Sequence, residues 1–153
     1  VAMVKKAGIE VSIAAPEADE NSVDPELEKQ LQETGKIKRT LDLTQALAGA
    51  DFVHTDTWMN MEFFENGSVK KEKEKEFERR KTIFLPYQLN AALIDTHCPD
   101  AYIMHCMPCH DGYEITRDAI EHKQSLIFDQ AENRLHAQKA MLVWMMQAEK
   151  QLT

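Results

Sequence analysis

Apolar and polar positions change along this chain in short blocks that predict strands and helices in turn. Short β-prone runs predict strands at 9–15, 36–40, 51–55, 102–104 and 125–128. Capping residues and helical spacing predict helices at 24–34, 45–48, 70–81, 88–95, 116–122 and from about 132 to the end. Strands that alternate with helices favour a parallel sheet covered on both faces. The pattern therefore predicts the α/β class, as a three-layer sandwich around a mainly parallel, doubly wound (Rossmann-like) sheet.

Several of these element boundaries are marked by specific residues. Asp24 followed by Pro25 offers an N-cap and a first-turn proline. Asn66 followed by Gly67 predicts a turn before a highly charged helix whose main apolar anchor is Phe77. Residues 1–8 are typical of the last turns of a helix closed by a glycine. That start predicts that the chain is the later part of a longer protein.

The last helix carries an apolar stripe on one side. Met141, Met145, Ala148 and Leu152 recur at helical spacing. Methionine in such a stripe is typically adaptable packing material rather than a ligand. We expect the segment 133–153 to pack against a neighbouring domain.

Composition excludes several classes of function. The 153 residues are enough for one domain with a real core. The net charge of −8 argues against nucleic acid, whose phosphates attract basic surfaces, and against anionic membranes. No apolar run approaches the roughly 20 residues that span a bilayer. Three irregularly spaced cysteines do not form a disulfide framework, so we expect a reducing, cytoplasmic location.

The stretch 101–113, AYIMHCMPCHDGY, holds the densest chemistry of the chain. An apolar run there ends abruptly in reactive groups and a proline, which is typical of a buried strand that delivers side chains to the rim of a sheet. The letters from Cys106 to His110 also match a haem-attachment pattern, half of a zinc site and a thioredoxin-like redox pair. Each alternative lacks a companion: an export signal, a second ligand pair, or a helix that starts at the first cysteine.

Three predicted strand ends carry suggestive side chains. Asp56 follows one strand, Cys106 follows another, and Arg134 lies soon after the last. Because ligands of open α/β sheets bind outside the carboxyl ends of the strands, we expect these side chains to face one cleft. Taken singly, each is more often a cap, an inert buried thiol or a surface ion pair.

The residues in these positions resemble the carbamoyltransferases, and most closely the ornithine carbamoyltransferases. The matching segments are Thr55–Trp58 (TDTW), Tyr87–Gln88, His105–Pro108 (HCMP) and Ala131–Arg134 (AENR), in the order and approximate spacing of that family's TD-x-W, HCLP and AENR motifs. The resemblance covers essentially the whole chain. It implies that residues 1–153 form a single C-terminal, amino-acid-binding domain.

The resemblance also implies a role for each matched residue. Asp56 would hold the α-amino group of the amino-acid substrate, and Cys106 would line the point where the attacking amine meets carbamoyl phosphate. The main-chain carbonyl of Met107, which stands where the family has leucine, would accept from the carbamoyl amino group. Arg134 would bind the carbamoyl oxygen and stabilise the charge that develops there. His105 would mainly position the motif.

The segment after TD-x-W departs from the ornithine enzymes. It has Asn60, Met61 and Glu62 where they have Ser-Met-Gly. Asn60 and Met61 remain candidates for substrate binding, whereas Glu62 adds a charge near the amino-acid pocket. A different amine, such as putrescine or a modified ornithine, is therefore an alternative acceptor. A non-catalytic amino-acid-binding domain of the same fold is another. Cys109 and His110 lie outside the family motif and are interpreted as local variation.

The family's carbamoyl-phosphate motifs, Ser-Thr-Arg-Thr and His-Pro-x-x-Gln, do not occur in these residues. This acidic chain also offers no glycine-rich loop for a phosphate. We therefore expect carbamoyl phosphate to bind a separate N-terminal domain that is absent here, so that this chain alone is inactive. The resemblance further implies a homotrimer or higher oligomer, small-molecule substrates, a place in arginine metabolism, and no metal or organic cofactor.

Overall fold

The computed structural model of the protein describes residues 4, 7–18 and 23–150, with side chains up to residue 147. The helix end predicted at 1–8 lies largely outside this range. Val4 and Ala7 are helical, and Gly8 has a φ of +72°, the left-handed conformation in which a helix often closes. Leu152 of the predicted apolar stripe lies outside the described residues, as does the side chain of Ala148.

The described chain contains six strands and six α-helices. The strands are β1 (Val11–Ile13), β2 (Ile37–Arg39), β3 (Phe52–Thr55), β4 (Phe64–Glu65), β5 (Ser68–Val69) and β6 (Tyr102–His105). The helices are α1 (Pro25–Gln32), α2 (Leu43–Leu47), α3 (Glu74–Phe84), α4 (Ala91–His97), α5 (Arg117–Ile120) and α6 (Ile127–Lys150). Short 3-10 turns cover Met61–Phe63, Lys71–Lys73 and Leu85–Tyr87.

Local capping explains where the first two α-helices begin. The Asp24 carboxylate accepts from the main-chain nitrogen of Glu26 at 2.9 Å, and Pro25 occupies the first helical position. The Asp42 carboxylate accepts from Thr44 at 2.9 Å at the start of α2. Each cap satisfies main-chain donors that a first helical turn leaves unpaired.

Parallel strand pairs confirm the predicted α/β class. Strand β1 pairs with β2, and β3 pairs with β6, both in parallel. Within the described residues these two pairs are not joined by a further ladder, so the doubly wound sheet is split into two halves. Strands β4 and β5 form a separate antiparallel hairpin around the predicted Asn66–Gly67 turn.

The strand predicted at 125–128 is wrong. Ser125 makes one isolated parallel bridge to Ile103, and the chain then enters α6 at Ile127. A short apolar run bounded by polar residues is compatible with either a strand or a buried first helical turn. Here Ile127 is fully buried in the core, so the run anchors a helix instead of extending the sheet. Helix α6 accordingly starts five residues before the predicted position at 132.

The principal core surrounds β6. Its fully buried members include Ile94, Ile103, Ile115 and Ile127, which come from two helices, a strand and a loop. A second core cluster joins Trp58, Met59, Phe63 and Phe77 beside the β4–β5 hairpin. Phe77 is thus the anchor of the charged helix α3, as predicted. Together the clusters hold the ends of β3 and β6 in place.

Helix α6 has its first turn in the core and most of its length in solvent. Trp144 is 69% exposed and Met146 is 65% exposed. Met141 and Met145, from the predicted stripe, are exposed as well. Among the described residues, none of the helices combines the length and apolar character needed to cross a bilayer.

Candidate substrate-binding site at the ends of β3 and β6

The parallel pairing of β3 with β6 brings two predicted site residues together. The register sets Thr55 opposite His105, so the residues that follow, Asp56 and Cys106, leave the sheet side by side. The Cys106 thiol donates to Asp56 Oδ1 at 3.0 Å. Fifty positions of sequence separate the two side chains, and strand register alone accounts for their contact.

Arg134 reaches the same place from helix α6. Its Nη1 donates to the main-chain oxygen of Cys106 at 3.3 Å. The expectation that Arg134 follows a strand end was wrong, because it lies about two turns into the helix that begins at Ile127. The predicted gathering of Asp56, Cys106 and Arg134 is nevertheless what the structure contains.

The contact between Asp56 and Cys106 changes the acidity of both groups. Burial acts to raise the pKa of Asp56, but hydrogen bonds from the Cys106 thiol and the Thr57 main chain outweigh it and lower that pKa. Burial, followed by the neighbouring Asp56 carboxylate, raises the pKa of Cys106 to about 11. At neutral pH the pair is therefore a carboxylate and a protonated thiol. The thiol serves as a hydrogen-bond donor rather than as a nucleophile.

Two of the predicted site residues line a large cleft, whereas Met61, Cys106, Met107 and Arg134 are not among its lining residues. Asp56 and Asn60 both line it, and its volume is about 1310 Å³. The Asn60 side chain accepts from the main-chain nitrogen of Glu62 at 3.1 Å and so caps the turn that follows. Met61 is 76% exposed at the start of that turn. An amino acid entering the cleft would meet the Asp56 carboxylate directly.

Met107 stands in a conformation that few residues adopt. Its φ is +48°, in the left-handed region that side chains other than glycine usually avoid. Its main-chain nitrogen donates to Nδ1 of His105 at 2.8 Å. The preceding histidine therefore stabilises the turn that presents the Met107 carbonyl.

His105 itself does not face the cleft. It is fully buried, and its main-chain nitrogen donates to the Gln130 side chain of α6 at 3.0 Å. Its Nε2 lies 3.3 Å from Oε1 of Glu114, which is also fully buried. The predicted role of His105 in positioning the motif is compatible with this location, whereas direct contact with a substrate is not.

Sequence reasoning missed Glu114 and gave His110 no role in the site. The main-chain nitrogen of His110 donates to Glu114 Oε1 at 2.6 Å, and its ring Nδ1 lies 3.2 Å from Oγ1 of Thr57. The ring also stacks on Phe64, with centroids 5.1 Å apart. His110 thus connects the two loops of the site. The available signal was an acid, Glu114, beside the apolar Tyr113 and Ile115.

The redox and zinc alternatives for the cysteines would require a disulfide or a metal site among the described residues. Cys98, Cys106 and Cys109 are all free thiols. Among the described side chains, no group of three or more histidine, cysteine, aspartate or glutamate residues is placed to hold a metal ion.

The family follows from a comparison with known proteins. Residues 1–145 match the family model described as aspartate/ornithine carbamoyltransferase, Asp/Orn binding domain. The chain therefore belongs to the aspartate/ornithine carbamoyltransferase family and corresponds to its Asp/Orn-binding domain. This confirms the resemblance found in the HCMP and AENR segments.

Relatives with curated names agree with this placement. The ornithine carbamoyltransferase of Methanospirillum hungatei is 42% identical over 136 residues, which cover 89% of this chain and 41% of that protein. The ornithine carbamoyltransferase of Renibacterium salmoninarum is 40% identical over 144 residues, covering 92% and 43%. The chain thus spans about two fifths of the length of the curated relatives it matches.

A solved structure extends the similarity to the fold. The ornithine carbamoyltransferase from Pyrococcus furiosus matches with a TM-score of 0.69 and 38% identity, over 88% of this chain and 41% of that one. The anabolic enzyme of the same name from Campylobacter jejuni has a TM-score of 0.71 and 31% identity, over 92% and 44%.

Proposed function

We propose that this chain is the amino-acid-binding half of an enzyme that transfers a carbamoyl group from carbamoyl phosphate to the side-chain amine of ornithine. The products are citrulline and inorganic phosphate. The observation that carries the proposal is the meeting of Asp56, Cys106 and Arg134, at 3.0 and 3.3 Å, in a chain of this family. The names of the relatives support ornithine as the amino acid.

Asp56 is proposed to bind the α-amino group of ornithine. It lines the cleft, and its lowered pKa keeps it ionised at neutral pH. A carboxylate that meets an ammonium group forms a charge-assisted hydrogen bond, which is stronger than a neutral one. Asn60 and Met61, at the start of the turn beside the cleft, complete the amino-acid side of the site.

The transfer step is proposed to take place beside Cys106 and Met107. The neutral side-chain amine attacks the carbamoyl carbon, a carbon–nitrogen bond forms, and the bond from that carbon to the phosphate oxygen breaks. Phosphate leaves with the bonding pair, and the proton that the amine loses is taken up by the departing phosphate. Arg134 is placed to stabilise the negative charge on the carbamoyl oxygen in the tetrahedral transition state, and the Met107 carbonyl accepts from the carbamoyl amino group.

Carbamoyl phosphate is proposed to bind outside these 153 residues. The chain is acidic and has none of the family's phosphate-binding motifs, so we infer an N-terminal domain that supplies that half of the site. The exposed apolar side chains of α6, among them Trp144 and Met146, are suited to pack against that domain. A cytoplasmic homotrimer acting in arginine metabolism is the assembly and setting that we propose. We expect the isolated chain to be inactive.

Glu62 favours a second candidate acceptor. Its side chain is exposed on the turn beside Asn60 and Met61, so it adds a negative charge near the amino-acid side of the cleft. A negative charge at this place favours an amine with an additional positive group, or a diamine such as putrescine. Reaction with either would keep the same carbamoyl transfer.

An assay of the complete protein with carbamoyl phosphate tests both candidates. The acceptors are ornithine, acetylated ornithine, putrescine and aspartate, and citrulline or its analogue is measured together with released phosphate. We expect ornithine to have the highest kcat/KM. A higher value for another amine would replace ornithine, and binding of ornithine without any transfer would indicate a non-catalytic amino-acid-binding domain.

A charge-removing variant sharpens this assay. If ornithine is the acceptor, Glu62→Gln should leave its KM within about twofold, because Asp56 alone neutralises the α-amino group. If the acceptor carries an additional positive group, the same variant should raise its KM about fivefold or more. Glu65→Gln, on the neighbouring hairpin, is the matched control and should leave both values unchanged.

A further inference from the structure

A buried carboxylate lies directly beneath the proposed site. Glu114 is fully buried, and one of its oxygens, Oε1, lies close to two histidines. That oxygen accepts from the main-chain nitrogen of His110 at 2.6 Å and lies 3.3 Å from Nε2 of His105. His105 contacts Met107 on one side of the proposed site, and His110 contacts Thr57, the neighbour of Asp56, on the other.

The first path runs from Glu114 through His105 to Met107. Because the main-chain nitrogen of Met107 donates to Nδ1 of His105, that ring nitrogen carries no proton. The proton of the neutral ring is therefore on Nε2, which faces the Glu114 carboxylate. A carboxylate beside Nε2 stabilises this tautomer, and the tautomer holds Met107 in its left-handed conformation. The position of the Met107 carbonyl thus depends on Glu114.

The second path runs from Glu114 through His110 to Asp56. Thr57 Oγ1 donates to the main-chain oxygen of Met59 at 2.7 Å, so its only proton is used there. His110 Nδ1, 3.2 Å from the same hydroxyl oxygen, is then the donor in their contact. The main-chain nitrogen of Thr57 in turn donates to Asp56 Oδ1 at 2.7 Å. The Glu114 carboxylate therefore supports the loop that presents Asp56.

Fold stability does not account for a carboxylate at this position. Oε2 of Glu114 is buried and has no hydrogen-bond partner among the described residues. The 3.3 Å contact of Oε1 with His105 is not aligned as a hydrogen bond either. A buried, half-satisfied carboxylate costs stability, and a well-packed apolar side chain usually costs less. Its contacts instead link the two loops of the proposed site.

We propose that Glu114 is a positioning residue that fixes the Met107 carbonyl and the Asp56 carboxylate relative to each other in the proposed site. It sets the Met107 carbonyl through His105, and it sets Asp56 through His110 and Thr57. This inference rests on the proposed function. Glu114 is buried and would contact neither substrate, yet both kcat and the KM for ornithine would depend on it.

The test compares two variants of Glu114 in the complete protein. Glu114→Ala removes the acceptor, and we expect kcat/KM for ornithine to fall about 100-fold, because small misplacements of reacting groups cost about that much. Glu114→Gln keeps an oxygen at the Oε1 position, and its amide nitrogen replaces the oxygen that has no partner. We expect this variant to stay within about fivefold of the wild type. Glu121→Gln, at an exposed glutamate directly after α5, is the matched control.

A third variant separates the two paths. His110→Phe keeps an aromatic ring against Phe64 but removes the contact with Thr57. We expect the KM for ornithine to rise about tenfold while kcat stays within about threefold, a split that general destabilisation does not produce. A Gln variant as impaired as the Ala variant, an Ala variant with unchanged kinetics, or a His110→Phe loss confined to kcat would each overturn the proposal.

A nitrogen-15 NMR spectrum of the histidine rings decides the matter independently of activity. We expect a neutral His105 with its proton on Nε2 in the wild type and in Glu114→Gln, and a mixture of tautomers in Glu114→Ala. A wild-type protein that transfers no carbamoyl group would refute the proposed function. The spectrum would still test whether Glu114 sets the tautomer of His105. A wild-type His105 with its proton on Nδ1 would overturn the inference.

Discussion

The site has an exposed layer and a buried layer, and they are built differently. The exposed layer consists of Asp56, Cys106 and Arg134, which hold one another through a thiol donor and a single guanidinium bond. The buried layer consists of His105 and Glu114, both fully inaccessible to solvent. Groups that must meet a ligand have to remain accessible, whereas groups that fix main-chain geometry do so best where water cannot compete. We therefore expect changes in the exposed layer to affect turnover directly, and changes of Glu114 to affect turnover through main-chain geometry. Changes in the apolar core behind the buried layer should affect folding.

The largest effect is expected from Arg134→Ala in the complete protein. Removing one donor to a developing oxyanion typically lowers kcat by about 100- to 1000-fold. Because the Arg134 side chain is exposed, the melting temperature of the variant protein should hardly differ from that of the wild type. Ornithine binding measured by calorimetry should be largely kept. Arg39→Ala, which removes another exposed arginine, is the control. Unchanged turnover would refute the role given to Arg134.

The next effect concerns the core behind the buried layer. Ile103 is fully buried at the centre of β6, and Ile103→Ala should cost about 2–5 kcal/mol of unfolding free energy through lost burial and the cavity left behind. Urea denaturation of the chain measures this loss. Tyr102→Ala removes an exposed neighbour on the same strand and should cost clearly less. Equal losses would mean that β6 is not held by its buried face.

The smallest effect is chemical and concerns the thiol of the exposed layer. Since the pKa of Cys106 is about 11, its alkylation by iodoacetamide should be slow at pH 7 and should rise steadily as the pH increases towards 10. Asp56→Asn removes a negative charge that raises this pKa, so the rate at pH 8 should increase severalfold. Mass spectrometry of the modified peptides measures the rate, with Cys109 as the internal control. A faster reaction of the wild type than of the variant would contradict the assigned contact.

Much of the fold was predictable because its causes are local. Asp24 caps the first helix through residues only two and three positions away, and Asn66–Gly67 forms the predicted turn, although the β4–β5 hairpin around it was not predicted. The α/β class followed from the alternation of strands and helices. The start of α6 was not predictable, since the run at 125–128 suits a strand as well as a helix until its burial is known.

The amino-acid sequence by itself determined which side chains stand at the ends of strands, and so it indicated Asp56 and Cys106 as neighbours. Only the tertiary structure decided that the helix carrying Arg134 begins at Ile127 and brings this side chain to them, and that Glu114 lies beneath them, linked to both loops by two histidines. The physical reason is the range of the interactions. Caps and periodicity act over a few residues, whereas the surroundings of a buried carboxylate are set by segments that meet only once the chain has folded.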